Sequence, residues 1–218
     1  MDTSRPFNPP PRLVDPSLPP PGFISVRLTR GYPATPAALD LIERLWRTDR
    51  ARLESELATH GETLESSHWD WTRKARQPAD YHCLVTIEWD GQVQGIMAAK
   101  GSLTPARLTP DARVMYVDFI ESAPWNHRVP QDRNKPAVRR PKYSGVGTLL
   151  IGEAIRMSIG RAAGGRVGLH GLPQAEAFYT GRCGMTDLGP DPHYGGLVYF
   201  EYADGVAAER LTALGLSA

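Results

Sequence analysis

The segment 142–147, Lys-Tyr-Ser-Gly-Val-Gly, contains the residues of this chain whose types and spacing best fit a chemical task. An apolar segment with helical character, 148–155, follows it, and a strand-like run, Val114 to Ile120, lies upstream. Glycine lets the backbone approach a ligand closely, and the first N–H groups of a helix point at an anion because they lack partners inside the helix. Two glycines that open a helix after a strand therefore predict a phosphate-binding loop.

Two common phosphate loops do not fit this segment. A nucleoside-triphosphate loop needs Gly-Lys-Ser/Thr, whereas Gly147 is followed by Thr148-Leu149. A dinucleotide loop needs a third small residue where this chain has Leu150, and an acidic residue at the end of the next strand. The next strand-like run, 166–170, ends in Leu-His. Both alternatives therefore lack side chains that their chemistry requires.

The elements that would position this loop are readable from hydrophobic periodicity. Ile24 to Arg30 alternates as a strand does, and Thr35-Pro36 is typical of a helix start. A second helical pattern covers about 51–66, and Asp90-Gly91 between two strand-like runs predicts a hairpin. Further segments are a loop or short helix at 68–79, a strand at 114–122, a helix from Gly147 to about Gly160, a strand at 166–170, a short helix at 173–182 and strands at 185–188 and 197–202. This order predicts one α/β domain at about 23–205, after a proline-rich arm at 1–22 and before a tail at 206–218.

Composition narrows the classes of function. The net charge of +1 gives no reason to expect nucleic-acid binding, and the absence of an apolar run of about 18 residues predicts no membrane span. Cys83 and Cys183 are the only cysteines, which favours reduced thiols in a cytoplasm and excludes a zinc site built on Cys-x-x-Cys, so no metal is expected. The first 22 residues hold eight of the twenty prolines and no signal pattern. We expect them to form either a flexible arm or a strap on the surface.

Two motifs together carry a resemblance to a known family. The first is 142–147, and the second is Ala175-Glu176-Ala177-Phe178-Tyr179 followed by Gly184-Met185. In this order the chain resembles the GNAT superfamily of acetyltransferases, whose signature Gln/Arg-x-x-Gly-x-Gly/Ala stands here with Lys142 in first place. Leu172 occupies the position of a frequent Asn, and Gly184 comes one position later than usual. The resemblance implies a GNAT-like α/β fold with a mixed central sheet of about six to seven strands flanked by helices.

The resemblance also implies acetyl-CoA as the acyl donor, held in a gap between the strands at 114–122 and 166–170. The end of the first strand would pair with the pantetheine, through Ile120, Glu121 and Ser122, and Gln174 could replace the missing Asn. Arg139 or Arg140 could reach a coenzyme phosphate. The pyrophosphate would lie on the loop that consists of Lys142, Tyr143, Ser144, Gly145, Val146, Gly147 and Thr148.

Acetyl transfer to an amine needs a base for the ammonium group and an acid for the leaving thiolate. Asp118 and Glu121 are the candidate bases; they face opposite sides of a regular strand unless a bulge intervenes, and a surface or salt-bridged role stays open for each. Tyr179 resembles the family's general acid, with packing beside Phe178 as the alternative. His170 could relay a proton or be structural.

The connection 123–141 is long and basic, with His127, Arg128, Arg133, Lys135, Arg139 and Arg140 against Asp132. It reads either as a solvated loop or as a lid over the acceptor site. Trp69, Trp71 and Trp125 could line an acceptor pocket or belong to the core.

The predicted function is transfer of an acetyl group to a small-molecule or peptide amine by direct attack in a ternary complex, since neither cysteine lies in an evident nucleophile setting. One alternative is a non-catalytic module of the same fold that binds acyl-CoA or a partner. Another is a toxin-like enzyme that acetylates a protein or a charged tRNA. A homodimer is expected only by analogy with other proteins of such folds.

Overall fold

The structure, a computed structural model, describes residues 10–20, 22–31, 36–75, 82–202 and 205–213. The chain divides into two compact units. We call Arg12–Ile96 with Glu121–Val146 the N-terminal unit, and Met97–Ile120 with Gly147–Ala218 and Met1–Pro11 the C-terminal unit. The expected cap at Thr35, the hairpin start at Tyr81 and parts of the segments 1–22, 68–79 and 206–218 lie outside the described residues.

Strands and helices alternate along the chain. The first part contains β1 (Arg12–Val14), β2 (Phe23–Ser25), β3 (Arg27–Gly31), α1 (Pro36–Ala58), α2 (Trp71–Ala75), β4 (His82–Trp89) and β5 (Gln92–Lys100). The second part contains β6 (Thr104–Pro105), β7 (Arg113–Ser122), α3 (Val146–Gly160), β8 (Val167–Gly171), β9 (Thr186–Asp191), β10 (Leu197–Glu201) and α4 (Val206–Ala213). Short 3₁₀ turns occupy Pro124–Asn126, Pro173–Ala175 and Pro192–Tyr194, and a π-helical turn occupies Phe178–Cys183.

The central sheet is mixed. Its hydrogen-bonded order is β3-β4-β5-β7-β8-β10-β9, with β6 paired to β7, and β1 and β2 form a separate two-stranded sheet. The pair β3–β4 and the pairs of β10 with β8 and β9 are antiparallel, whereas β7 and β8 are parallel. This confirms the predicted α/β class with a mixed sheet and flanking helices, and in the part of the chain that the structure describes the sheet has eight strands instead of six or seven.

The helix α1 joins the first predicted helix to the beginning of the second. Its apolar side chains recur at helical spacing and are buried at Leu39, Ile42, Trp46, Leu53 and Leu57. The second pattern was wrong as a separate helix, because α1 runs unbroken to Ala58 and the chain then turns at Gly61, which has a φ of +72°. A positive φ favours glycine and ends the helical geometry there.

Other predicted elements differ in detail. The hairpin β4–β5 is confirmed, and its turn at Asp90-Gly91 has two positive φ values, 51° and 70°, as a type I′ turn requires. The predicted strand 24–30 is two strands, β2 and β3, and the predicted helix 173–182 is a 3₁₀ turn followed by a π-helical turn. The segment predicted as a tail contains α4.

Among the described residues, no helix combines the length and the apolar character that crossing a bilayer would require.

Candidate active site

The glycine loop leads directly into α3, as predicted. Gly145 has a φ of +98°, a conformation that favours glycine, and the helix begins at Val146. A Cβ atom on Gly147 would lie 3.0 Å from Cζ of Phe178, so this position has little room for a side chain. The first N–H groups of α3 have no acceptor within the helix and can serve an anion.

Three N–H groups at the start of the loop are already engaged within the N-terminal unit. The Lys142 N–H donates to the Trp125 carbonyl at 3.0 Å, the Tyr143 N–H to Oδ1 of Asn126 at 3.0 Å, and the Ser144 N–H to the Val14 carbonyl at 2.9 Å. The prediction that the loop N–H groups face a phosphate is therefore corrected for these three. The predicted donors that remain belong to Gly145, Val146, Gly147 and Thr148.

The partner of Ser144 belongs to the proline-rich segment. Val14 also donates its N–H to the Ser144 carbonyl at 3.0 Å, so the two residues form a reciprocal antiparallel bridge. Leu13 is fully buried and packs near Gly145, and β1 pairs with β2. In residues 10–20 the chain thus forms the strap that was one of our two expectations. We call residues 10–20 the strap below.

The parallel ladder between β7 and β8 is short. Its pairs are Met115–Val167, Tyr116–Gly168 and Val117–Leu169, although β7 continues to Ser122 and β8 to Gly171. Beyond Leu169, β8 pairs only with β10 among the described residues, at His170–Tyr199 and Gly171–Val198. The parallel pairs therefore end at Val117–Leu169, before the last residues of either strand.

His170 lies in a hydrogen-bonded network of the C-terminal unit, which we call the His170 network. Nδ1 of His170 lies 2.5 Å from the Tyr116 hydroxyl, and Nε2 lies 3.1 Å from Oδ2 of Asp191. Arg107 donates to the same carboxylate oxygen at 2.5 Å, and the ring of Tyr194 stacks on His170 with a centroid distance of 3.7 Å.

The charge states of this network follow from its contacts. Burial is the largest effect on His170 and lowers its pKa, although Asp191 opposes that shift. The hydrogen bond from Arg107 is the largest of the effects that lower the pKa of Asp191 to about 2. A neutral imidazole beside an ionised carboxylate must donate from Nε2, which leaves Nδ1 to accept the Tyr116 hydroxyl proton.

Glu121 lies in a different network, within the N-terminal unit. We call Glu43, Arg50 and Glu121 the buried charge cluster, because all three are at least nine-tenths buried. Arg50 bonds Glu43 at 3.1 Å and Glu121 at 3.5 Å, and the indole Nε1–H of Trp71 donates to Glu121 at 2.6 Å. Burial raises the pKa of Glu121 to about 7 despite Arg50 and Trp71, which favour the charged form. A carboxylate with this pKa can accept a proton near neutral pH.

The remaining predicted residues are spread over both units. Asp118 and Ile120 on β7 are half-buried, as are Ser122 and Gln174, while Lys142 and Arg140 are exposed. Tyr179 is buried in the π-helical turn, where its ring contacts Phe178 and Phe200. Burial strongly raises the pKa of Tyr179, so its hydroxyl keeps its proton.

The 123–141 segment is anchored to the N-terminal unit at several points, although residues 133–136 are exposed. Arg128 donates to the carbonyls of Pro130, Asp132 and Lys135 within the same segment. Val129 is fully buried in a cluster with Leu53, Leu57 and Leu64. Arg139 pairs with Glu56 of α1 at 3.0 Å, so its expected role at a coenzyme phosphate is not supported.

Of the three tryptophans predicted to line a pocket, Trp125 lines a cavity in the N-terminal unit. A cavity of about 300 Å³ in the N-terminal unit has walls formed mainly by Leu41, Ile42, Leu45, Trp46, Leu84 and Trp125. Trp71 is instead fully buried at the charge cluster, and Trp69 packs edge-on against it. No three His, Cys, Asp or Glu side chains among the described residues are grouped to hold a metal ion.

Sequence reasoning missed the partners that define both networks. Tyr116, Arg107 and Asp191 surround His170, and Glu43 and Arg50 surround Glu121. One signal was available for α1, because Glu43 and Arg50 lie seven positions apart on the same helix face as the buried Trp46. The other contacts join residues far apart in the sequence and leave no local pattern.

Neither a protein-family model nor a curated protein matches the chain. Solved structures similar to it include acetyltransferases of the GNAT family. The PaiA N-acetyltransferase of Thermoplasma acidophilum, in complex with coenzyme A, is 11% identical, with 82% of this chain and 98% of its own covered and a TM-score of 0.48. A GNAT acetyltransferase from Listeria monocytogenes is 18% identical, with coverages of 80% and 94% and a TM-score of 0.47. A structure from Corynebacterium glutamicum, described as histone acetyltransferase HPA2 and related acetyltransferase, is 15% identical, with coverages of 84% and 98% and a TM-score of 0.46.

The likeness to these proteins is one of fold. Each of the three identities is below 20% and each TM-score is below 0.5, so they establish neither a family nor an activity for this chain. The function is therefore argued from the chain's own residues.

Proposed function

We propose that this protein transfers an acetyl group from acetyl-CoA to an amine by direct attack. The observation that carries the proposal is the glycine loop, in which Gly145 has a φ of +98° and α3 begins at Val146. We expect the amides of an extended donor to lie along the end of β7, at Ile120, Glu121 and Ser122. The glycine loop and the first turn of α3 supply N–H groups for the donor's pyrophosphate.

Glu121 is the proposed base. An amine acceptor is an ammonium ion near neutral pH and must lose a proton before it attacks the thioester carbonyl. Glu121 takes that proton, since burial raises its pKa to about 7. The nitrogen then bonds to the carbonyl carbon, the carbon–sulfur bond breaks, and the products are an amide and coenzyme A.

Tyr179 is the proposed acid for the leaving thiolate. Its raised pKa keeps the hydroxyl protonated, as a proton donor requires at the start of the reaction. Asp118 and His170 stay secondary candidates for proton transfer, because they lie on the adjacent parallel strands β7 and β8. The acceptor is a small-molecule amine or a peptide amine.

Donor binding and turnover test the proposal separately. Thermal unfolding with acetyl-CoA at about 100 times its dissociation constant should show about 2.7 kcal/mol of added stability. Glu121→Gln should keep this stabilisation and lose most turnover against a panel of amines, while Glu56→Gln on α1 should keep both. An unchanged melting temperature in millimolar acetyl-CoA would exclude the donor.

A non-catalytic acyl-CoA-binding module is the second candidate. Two observations favour it. The Tyr143 and Ser144 N–H groups already bond within the chain, so fewer donors remain for a ligand. Tyr179 is buried, which limits its contact with a leaving thiolate. Donor binding without product from any amine or peptide in the panel would support the module.

A further inference from the structure

The buried charge cluster holds two carboxylates and a single guanidinium. Arg50 reaches Glu43 with both terminal nitrogens, at 3.1 and 3.4 Å, and reaches Glu121 at 3.5 Å. The side chains of Arg50, Glu43 and Glu121 expose only 7%, 6% and 4% of their surface. The three side chains are therefore largely shielded from solvent, and the position of Arg50 decides how much positive charge each carboxylate receives.

Glu121 meets charged and polar groups from two helices of the N-terminal unit and from the turn between them. Arg50 and Glu43 face it from α1, and the Trp71 indole faces it from α2. Lys74, also on α2, acts on it through its charge, and Ser66 lies 3.5 Å away. Glu43 is the one group among these whose charge opposes ionisation of Glu121, because the two carboxylates repel each other.

Trp71 ties the two carboxylates together. Its backbone N–H donates to Glu43 at 2.8 Å, and its indole N–H donates to Glu121 at 2.6 Å. The side chain of Glu121 is thereby aimed by a group that Glu43 itself anchors. A change at Glu43 reaches Glu121 by two routes, through Arg50 and through Trp71.

We infer that Glu43 is a positioning residue for Glu121: it holds the Arg50 guanidinium at its own carboxylate and so leaves Glu121 able to take up and release a proton. Without Glu43, Arg50 would pair fully with Glu121 and hold it ionised. The inference rests on the proposed function for the purpose of the proton, which moves from the acceptor ammonium to the Glu121 carboxylate and then to water. The effect of Glu43 on the protonation of Glu121 does not itself depend on acetyl transfer.

The test is a pH titration of the Trp71 indole ¹H–¹⁵N resonance, which reports the state of Glu121 through their hydrogen bond. In the wild type the resonance should titrate near neutral pH, and Glu121→Gln should abolish that titration. Glu43→Gln keeps an acceptor for the Trp71 N–H but removes the charge, and it should move the midpoint down by about one pH unit. An unchanged or higher midpoint in Glu43→Gln would overturn the inference.

Glu56→Gln is the matched control, because it removes a carboxylate from the same helix that pairs with Arg52 and Arg139 instead of Arg50. Its midpoint should equal that of the wild type, and an equal shift in both variants would also overturn the inference. If Glu43→Gln does not fold, Glu43→Asp retracts the carboxylate and should give a smaller shift in the same direction; no shift there contradicts the inference.

Activity separates this inference from the proposed function. If the wild type transfers acetyl groups, the low-pH limb of kcat/KM should move in Glu43→Gln by the same amount as the resonance midpoint. A limb that stays in place while the midpoint moves would contradict the positioning role. If the wild type transfers no acetyl group, the proposed function fails, and the resonance midpoints still decide the inference about Glu43.

Discussion

The buried charge cluster and the His170 network hold carboxylates of similar exposure, 6% for Glu121 and 5% for Asp191, with opposite pKa shifts. The pKa of Glu121 is raised to about 7, and that of Asp191 is lowered to about 2. Glu121 shares Arg50 with Glu43, whereas Asp191 receives Arg107, the His193 N–H and His170.

The cations differ as well. The Arg50 side chain exposes 7% of its surface and the Arg107 side chain 45%, so the pair around Asp191 lies close to water and loses less hydration. The comparison teaches that the exposure of a carboxylate alone does not set its pKa. Burial is the largest effect on Glu121, whose cation is shared and buried, whereas the hydrogen bond from the more exposed Arg107 is the largest effect on Asp191.

The largest expected effect comes from removing the shared cation. Arg50→Met leaves two buried carboxylates without their common partner and should lower the free energy of unfolding by about 3–5 kcal/mol at pH 8. The loss should be smaller at pH 5, because Glu121 then takes up a proton. Urea unfolding at both pH values measures this, with the exposed Arg52→Met on the same helix as a control that should cost at most about 1 kcal/mol. A loss below that of the control would contradict our account of the buried charge cluster.

Glu121→Gln should raise the free energy of unfolding, whereas removal of a paired charge usually lowers it. A raised pKa means that the stability of the wild type is fully present below pH 4.5 and is lost as the pH rises through about 7. The glutamine variant does not titrate, so it should gain stability relative to the wild type by on the order of 3 kcal/mol between pH 4.5 and 8. Equal pH dependence of the two unfolding curves would rule out a raised pKa.

Asp191→Asn should show the opposite pH dependence. A lowered pKa gives stability that is present above pH 3.8 and is lost as the pH falls toward 2, and the asparagine variant lacks that contribution. The pKa of His170 should also fall further, because Asp191 is the group that raises it. The ¹H shift of the His170 ring measures this, and a rise in its pKa would contradict the described hydrogen bonds.

Arg107→Met should have the smallest effect. Its side chain is nearly half exposed, and Asp191 keeps the His193 N–H and His170 as donors. We expect a loss of at most about 1 kcal/mol in urea unfolding, with the pKa of Asp191 raised but still acidic. A loss as large as that of Arg50→Met would remove the distinction between the two networks.

Local patterns predicted most of the fold, because strands and helices leave periodic signals over a few residues. The alternation before and after Asp90-Gly91 and the glycine loop before α3 led to correct elements. Very short strands, such as β6, and the π-helical turn at 178–183 carry no such signal. They depend on contacts with distant parts of the chain.

The candidate site was predictable only as single residues. Glu121 stood out as a carboxylate in an apolar strand, but its contact with Arg50 spans 71 positions and its contact with Trp71 spans 50. Likewise, the 123–141 segment looked like a basic surface loop because composition does not reveal that Arg128 bonds three carbonyls of its own loop. The number of charged residues in a segment does not show which hydrogen bonds and ion pairs these residues form.

The strap has a practical consequence for anyone who produces this protein. A domain boundary chosen from composition would begin near residue 23 and would remove Val14, the bridge partner of Ser144, together with the buried Leu13. The segment at Ser144 would then present an unpaired backbone edge, to which a strand of another molecule can add. We expect such a shortened protein to aggregate at concentrations where the full chain stays dispersed, and light scattering of the two would show it.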